Sequence, residues 1–193
     1  MKRWLFLVFC LLSILKHNAQ EERLSIAISY PITVDNNFIG SNFNGIVDIG
    51  GKYRFAEVGV FNIAAGLNIG LLTNPANNDF GVDFTVNAFV FQPKGILELS
   101  IPALSGFRPF IGLGVSVFTF TSQQSLSDFE IAGIGETQTG FTISPGVSYD
   151  FWGRIFVQLQ YDFTSLSPDD DVPDISFNSR VNLLKVGVGY RFR

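Results

Sequence analysis

The chain has 193 residues, enough for one domain, and no shift in composition marks a second. It is 47% hydrophobic and only 16% charged, with a net charge of −4, which argues against the basic patches that nucleic acid requires. One cysteine leaves no disulfide within the chain, so stability has to come from the fold itself.

Residues 1–19 read as a secretory signal peptide. Lys2 and Arg3 precede an apolar core, "WLFLVFCLLSIL" (4–15), and Ala19 offers a cleavage site although His17 stands where a small residue is usual. The core is too short to span a bilayer as a helix. Lipid attachment at Cys10 is disfavoured because bulky Phe9 precedes it and much of the apolar core follows it. The segment contains the chain's only cysteine and only histidine. Lys2, Arg3 and Lys16 leave with it, so 10 basic residues face 17 acidic and the net charge becomes about −7. The domain is expected to occupy residues 20–193.

From residue 23 onward the dominant period is two, the period of strands. "RLSIAISYPI" (23–32) sets Leu24, Ile26, Ile28 and Tyr30 against Ser25, Ala27 and Ser29. "GIVDIGGKYRF" (45–55) sets Val47, Ile49, Tyr53 and Phe55 against Asp48, Gly50, Lys52 and Arg54. "VGVFNIAAGLNIGLL" (58–72) continues with Ile63, Leu67 and Ile69 against Asn62, Gly66 and Asn68. The stretch 84–100 is mixed: Phe89, Phe91, Leu97 and Leu99 share one parity, whereas Val86 and Val90 prefer the other, which a β-bulge would reconcile. "RPFIGLGVSVFTF" (108–120), "GFTISPGVSYDF" (140–151) and "RIFVQLQYDF" (154–163) alternate again. The last strand runs from about Arg180 through "KVGVGYRFR" (185–193), with Val186, Val188, Tyr190 and Phe192 opposite Gly187, Gly189 and Arg191.

Long polar loops at about 33–44, 73–83, 121–139 and 167–179 alternate with tight links near 56–57, 102–106 and 152–153. That rhythm predicts an all-β, eight-stranded antiparallel up-and-down barrel with every long loop at one end. The last strand should pair with 154–163 on one side and 23–32 on the other, leaving no open edge.

Which solvent each face meets follows from composition. A soluble barrel turns its less apolar face to water and fills it with charge. Here that face is mostly Gly, Ser, Ala, Asn, Thr and Gln, with charges of both signs: Asp48, Lys52, Glu98, Arg108, Asp162, Lys185 and Arg191. These suit a narrow lumen filled by side chains. The opposite face carries no charge over about ten residues per strand, the length a tilted strand needs to cross a bilayer. Aromatics gather at both ends: Tyr53, Phe55, Phe61, Tyr149, Phe151, Tyr190 and Phe192 by the short turns, and Tyr30, Phe84, Phe120, Phe141 and Phe163 by the long loops. Two such girdles mark a transmembrane barrel with its apolar face in lipid.

The signal ending in "NAQ", the passage from "QPKGILELSIP" to "RPFIGLGVS" (92–116) and the "KVGVGYRFR" ending resemble the small outer-membrane β-barrel family common in Bacteroidota. That family is similar in architecture to OmpA- and OmpX-type barrels. The resemblance covers nearly all of the chain after the signal. It implies the bacterial outer membrane as location, contact with outer-membrane lipid, and insertion by the barrel assembly machinery. That machinery reads an aromatic at the end of the last strand, where this chain has Phe192 followed by Arg193.

Outer-membrane barrels that are hydrolases, acyltransferases or proteases rely on histidine for near-neutral acid–base work. After residue 20 there is none. No catalytic, cofactor-binding or metal-binding residues are therefore expected. The seven polar-face charges are expected to form a structural lumen network, because buried charges left unpaired are costly. "SPDDDVPD" (167–174) collects Asp169, Asp170, Asp171 and Asp174 without the spacing of an EF-hand, and reads as a solvated loop. Glycine runs such as "GLGVS" (112–116) lack the lysine and helix of a phosphate loop. The loop 122–140 contains Phe129, Ile131 and Ile134, and is expected to fold over the mouth or extend the wall as a hairpin. The resulting expectation is a monomeric, non-catalytic barrel with a structural role or an unknown extracellular partner at its long loops. The alternatives are a narrow channel for small solutes and a soluble ligand-binding barrel.

Overall fold

The computed structural model describes residues 23–77, 83–101, 103–126, 129–132, 135–167 and 175–192. The proposed signal, Asp169–Asp174 and Arg193 lie outside them, as do the side chains of Phe84, Phe129, Ile131 and Ile134. In chain order the elements are β1 (Leu24–Val34), α1 (Phe38–Asn42), β2 (Asn44–Val58), β3 (Phe61–Asn77), β4 (Asp83–Leu99) and β5 (Phe107–Leu126). They continue with β6 (Phe129–Ala132), β7 (Glu136–Trp152), β8 (Ile155–Ser167), α2 (Ser176–Ser179) and β9 (Arg180–Phe192).

Eight of these strands close a ring in which each neighbour is antiparallel: β1, β2, β3, β4, β5, β7, β8, β9 and back to β1. The seam between first and last strands runs without interruption from Leu24 opposite Phe192 to Val34 opposite Asn182. On its other side β9 pairs with β8, from Tyr190 opposite Ile155 to Arg180 opposite Ser165. The expected eight-stranded up-and-down barrel is therefore what the chain forms, and closure gives every wall strand two partners. In hydrocarbon this matters because no water is present to satisfy an unpaired strand edge. β6 is additional: it pairs only with the end of β5, Gln123 opposite Ala132 to Leu126 opposite Phe129, and lengthens that hairpin.

The apolar parity faces outward along the belt. Ile28, Tyr30, Leu113, Phe141, Leu159, Val186 and Val188 all leave about half their surface open. The aromatic band by the short turns includes Phe55, Phe61, Tyr149, Phe151, Tyr190 and Phe192, with Trp152 at its tip 75% exposed. Tyr30, Phe89, Phe141 and Phe163 mark the other end. The turns that close the hairpins use glycines at positive φ, Gly59 (62°), Gly106 (81°) and Gly153 (59°), where a Cβ would be strained.

One open question is answered and two expectations need correction. β4 has no bulge: its pairing with β3 is unbroken from Leu99 to Asp83, and from Val86 onward its even residues point inward, with Ala88, Val90, Gln92, Lys94, Ile96 and Glu98 all buried. Val90 conflicted with the expected polar lumen only because the upper lumen is apolar. Register shifts occur instead in β2, at Gly45/Val47 and Arg54/Ala56, and in β7–β8 pairing at Asp150/Trp152. Phe120 does not belong to the lipid girdle, because it packs inside against a buried apolar cluster. The first tight turn is at Gly59–Val60, not 56–57, since β2 runs to Val58.

Candidate functional site

The interior divides into tiers along the barrel axis. Nearest the short turns is a charged tier. Arg191 donates from Nε to Asp150 Oδ1 at 2.8 Å and from Nη2 to Ser148 Oγ at 2.9 Å, and its guanidinium lies over the Phe156 ring at 4.4 Å. Arg108 Nη2 meets the other oxygen of Asp150 at 2.8 Å and its Nη1 lies 3.9 Å from Glu98. Lys52 pairs with Glu98. Two carboxylates and three cations thus share one layer.

The middle tier is organised by Lys185, whose residue is 0% exposed. From β9 its ammonium reaches Asp48 on β2 at 2.6 Å, Asp162 on β8 at 2.9 Å and the Gln92 carbonyl oxygen on β4 at 2.7 Å. Neighbours hold the acceptors in turn. Asn68 donates to Asp48, Gln160 Nε2 donates to Asp162 at 2.6 Å, and Gln92 Nε2 donates to Ser116 at 2.9 Å. A chain of hydroxyls continues through Ser116, Thr142 and Thr164. Lys94 donates to Ser144 at 3.3 Å. Its stem lies over Gly112 and Gly114, where any Cβ would crowd it. The small residues of the wall are therefore the space that the long lumenal side chains occupy.

Above this the lumen turns apolar. Leu72, Ala88, Val90, Phe118, Leu166, Val181 and Leu183 line it, and α1 with its C-terminal cap brings in Ile39 and Phe43. α1 is short, yet its ends are secured: Asn37 Oδ1 accepts from the Gly40 amide at 2.6 Å, and the Phe43 amide donates back to Ile39. Thr33 Oγ1 donates to the Phe43 carbonyl at 2.7 Å, tying the helix to β1.

Of the seven charged residues singled out from sequence, Asp48, Asp162 and Lys185 come together in the middle tier, and Lys52, Glu98, Arg108 and Arg191 in the lower one. Sequence reasoning left out Asp150, which bridges Arg108 and Arg191, and the neutral partners Gln92, Asn68 and Gln160. The parity of Asp150, two residues from Ser148 and next to a turn, was the available signal. The arrangement contains acceptors paired to cations and offers no exposed nucleophile–base pair among the described residues.

The sequence profile of the family described as "Outer membrane protein beta-barrel domain" matches residues 5–192. No curated protein sequence matches the chain. Among solved structures it is similar to the attachment invasion locus protein Ail of Yersinia pestis, with 13% identity over 90% of this chain and 100% of that one, and a TM-score of 0.54. It is similar also to Neisserial surface protein A (16% identity, 88% and 96% covered, TM-score 0.51). The third is OprG of Pseudomonas aeruginosa (11% identity, 89% and 94% covered, TM-score 0.50). At these identities the likeness is one of fold.

Proposed function

The chain belongs to the outer-membrane β-barrel family and lies in the bacterial outer membrane, and from that premise we propose that it is a closed, non-catalytic barrel acting through its long-loop end. The observation that carries this reading is the filled lumen. The Lys185 network spans β9, β8, β2 and β4, and a plug of apolar side chains sits above it. Eight strands enclose only enough room for side chains, and here that room is occupied in the middle and upper tiers.

Barrels of this kind have short periplasmic turns and longer extracellular loops, so the long-loop end is the one that meets the exterior. There β3, β4, β5 and β7 run 17 to 20 residues, well beyond the roughly 9–11 that cross the hydrocarbon. The surplus builds a raised wall suited to contact with an extracellular partner. No histidine follows residue 20, which supports the non-catalytic part of the reading.

Planar-bilayer recording tests it. The purified barrel should leave conductance at background, and removing Lys185 together with Asp48 and Asp162 should not create a steady open state while the apolar plug stays. Discrete conductance steps from the unaltered protein would replace this reading with that of a narrow channel.

A further inference from the structure

We propose that the outer mouth of the barrel is a binding site for a small amphiphile, with a medium-length aliphatic or aryl body and a neutral or cationic head. The site is a cavity of about 320 Å³ above the apolar plug. That volume lies at the lower end of the range for small-molecule pockets. Phe38 and Ile39 of α1, with Phe43 at its C-terminal cap, form one side, and Val86, Phe120 and Leu166 of the wall form the other.

The floor is shut. Phe118, Leu72 and Leu183 below it are almost completely buried, so the space does not continue into the polar lumen and a ligand can enter only from the loop end. A macromolecular segment does not fit a blind cavity of this size, whereas one short chain does. Phe43 stands edge-on to Phe120 at 5.9 Å and to Phe38 at 5.9 Å, so the aromatic walls are positioned by each other before any ligand arrives.

The polar lining supplies the preference in head group. Asn74, Gln138 and Asn178 provide amides, and among the described residues of the lining Glu136 provides the charge. A carboxylate at the rim attracts an ammonium, tolerates a hydroxyl and repels a fatty acid. The inference goes beyond the closed-lumen reading and does not depend on it, since a conducting barrel could bear the same mouth.

The test uses the full barrel with ¹³C-labelled methyl groups in lipid nanodiscs, titrated with decylammonium, decan-1-ol and decanoate. Decylammonium and decanol should saturate shifts of the Ile39, Val86 and Leu166 methyls, and decanoate should bind more weakly. Glu136→Gln should narrow the ammonium-over-carboxylate preference by roughly two- to five-fold, the size of a solvent-facing ion pair. Val86→Trp or Leu166→Trp, each checked for folding by heat-modifiable gel migration, should fill the cavity and abolish saturable binding. Shifts confined to lipid-facing methyls such as Ile28 and Val188 would mean partition into bilayer only and would overturn the proposal. So would undiminished binding in both folded tryptophan variants, or decanoate binding as tightly as decylammonium.

Discussion

Removing the ammonium of Lys185 while keeping Asp48 and Asp162 leaves two buried carboxylates without the cation they share. Breaking a buried ion pair from one side costs about 3–5 kcal/mol, whereas replacing all the charges together is close to neutral. Lys185→Met should therefore destabilise the barrel by about 3–5 kcal/mol. The triple variant Lys185→Met, Asp48→Asn, Asp162→Asn should recover most of that loss. Urea unfolding in lipid vesicles measures both, and equal stability of the single and triple variants would show that the three do not form a coupled unit. Parity in the sequence marks which charges share the lumenal face. It carries no information on partners, because Lys185 meets Asp48 across 137 positions and Gln92 across 93. Those meetings are set by how far each strand is staggered in the closed ring, which no local spacing encodes.

At the level of single elements, β9 was the most legible, because Val186, Val188, Tyr190 and Phe192 meet lipid while Gly187 and Arg191 face inward, a clean period of two. An arginine on its lipid face should cost in proportion to depth. Val188→Arg, near the middle of the belt, is expected to lose about 2–4 kcal/mol, and the same change at Phe192 by the short turns far less. Unfolding titrations that gave equal losses at both positions would contradict the membrane placement. β4 was the least legible element. Its inward Ala88 and Val90 look misplaced against Gln92, Lys94 and Glu98 until α1 with its C-terminal cap is seen to bring Ile39 and Phe43 into the upper lumen. The apolar upper tier is a consequence of a loop segment packing inside, and strand periodicity holds no trace of it. Asn37 secures that segment, so Asn37→Ala should loosen α1 by about 1 kcal/mol. Faster amide exchange at Ser41 and Phe43, with the β1–β9 seam unchanged, is the expected signature.

For the whole molecule, the alternation of long and short connections foretold both the closed topology and the gathering of long loops at one end. It did not foretell that strands would consume much of those loops, because β5 and β7 continue well past the lipid belt. The complete ring should migrate differently on gels before and after boiling, and should remain with the outer-membrane fraction through carbonate washing. Release by carbonate, or migration indifferent to heat, would contradict an integral barrel.

The position of Lys185 on the last strand has a kinetic meaning. Its two carboxylates sit on β2 and β8, and its amide partner on β4, so the lysine cannot be fully satisfied until β9 has docked on both β8 and β1. A sheet that entered lipid still open would leave Lys185 with Asp162 alone and Asp48 on β2 without its cation. Completing the network is thus tied to the docking of β9 on both of its neighbours.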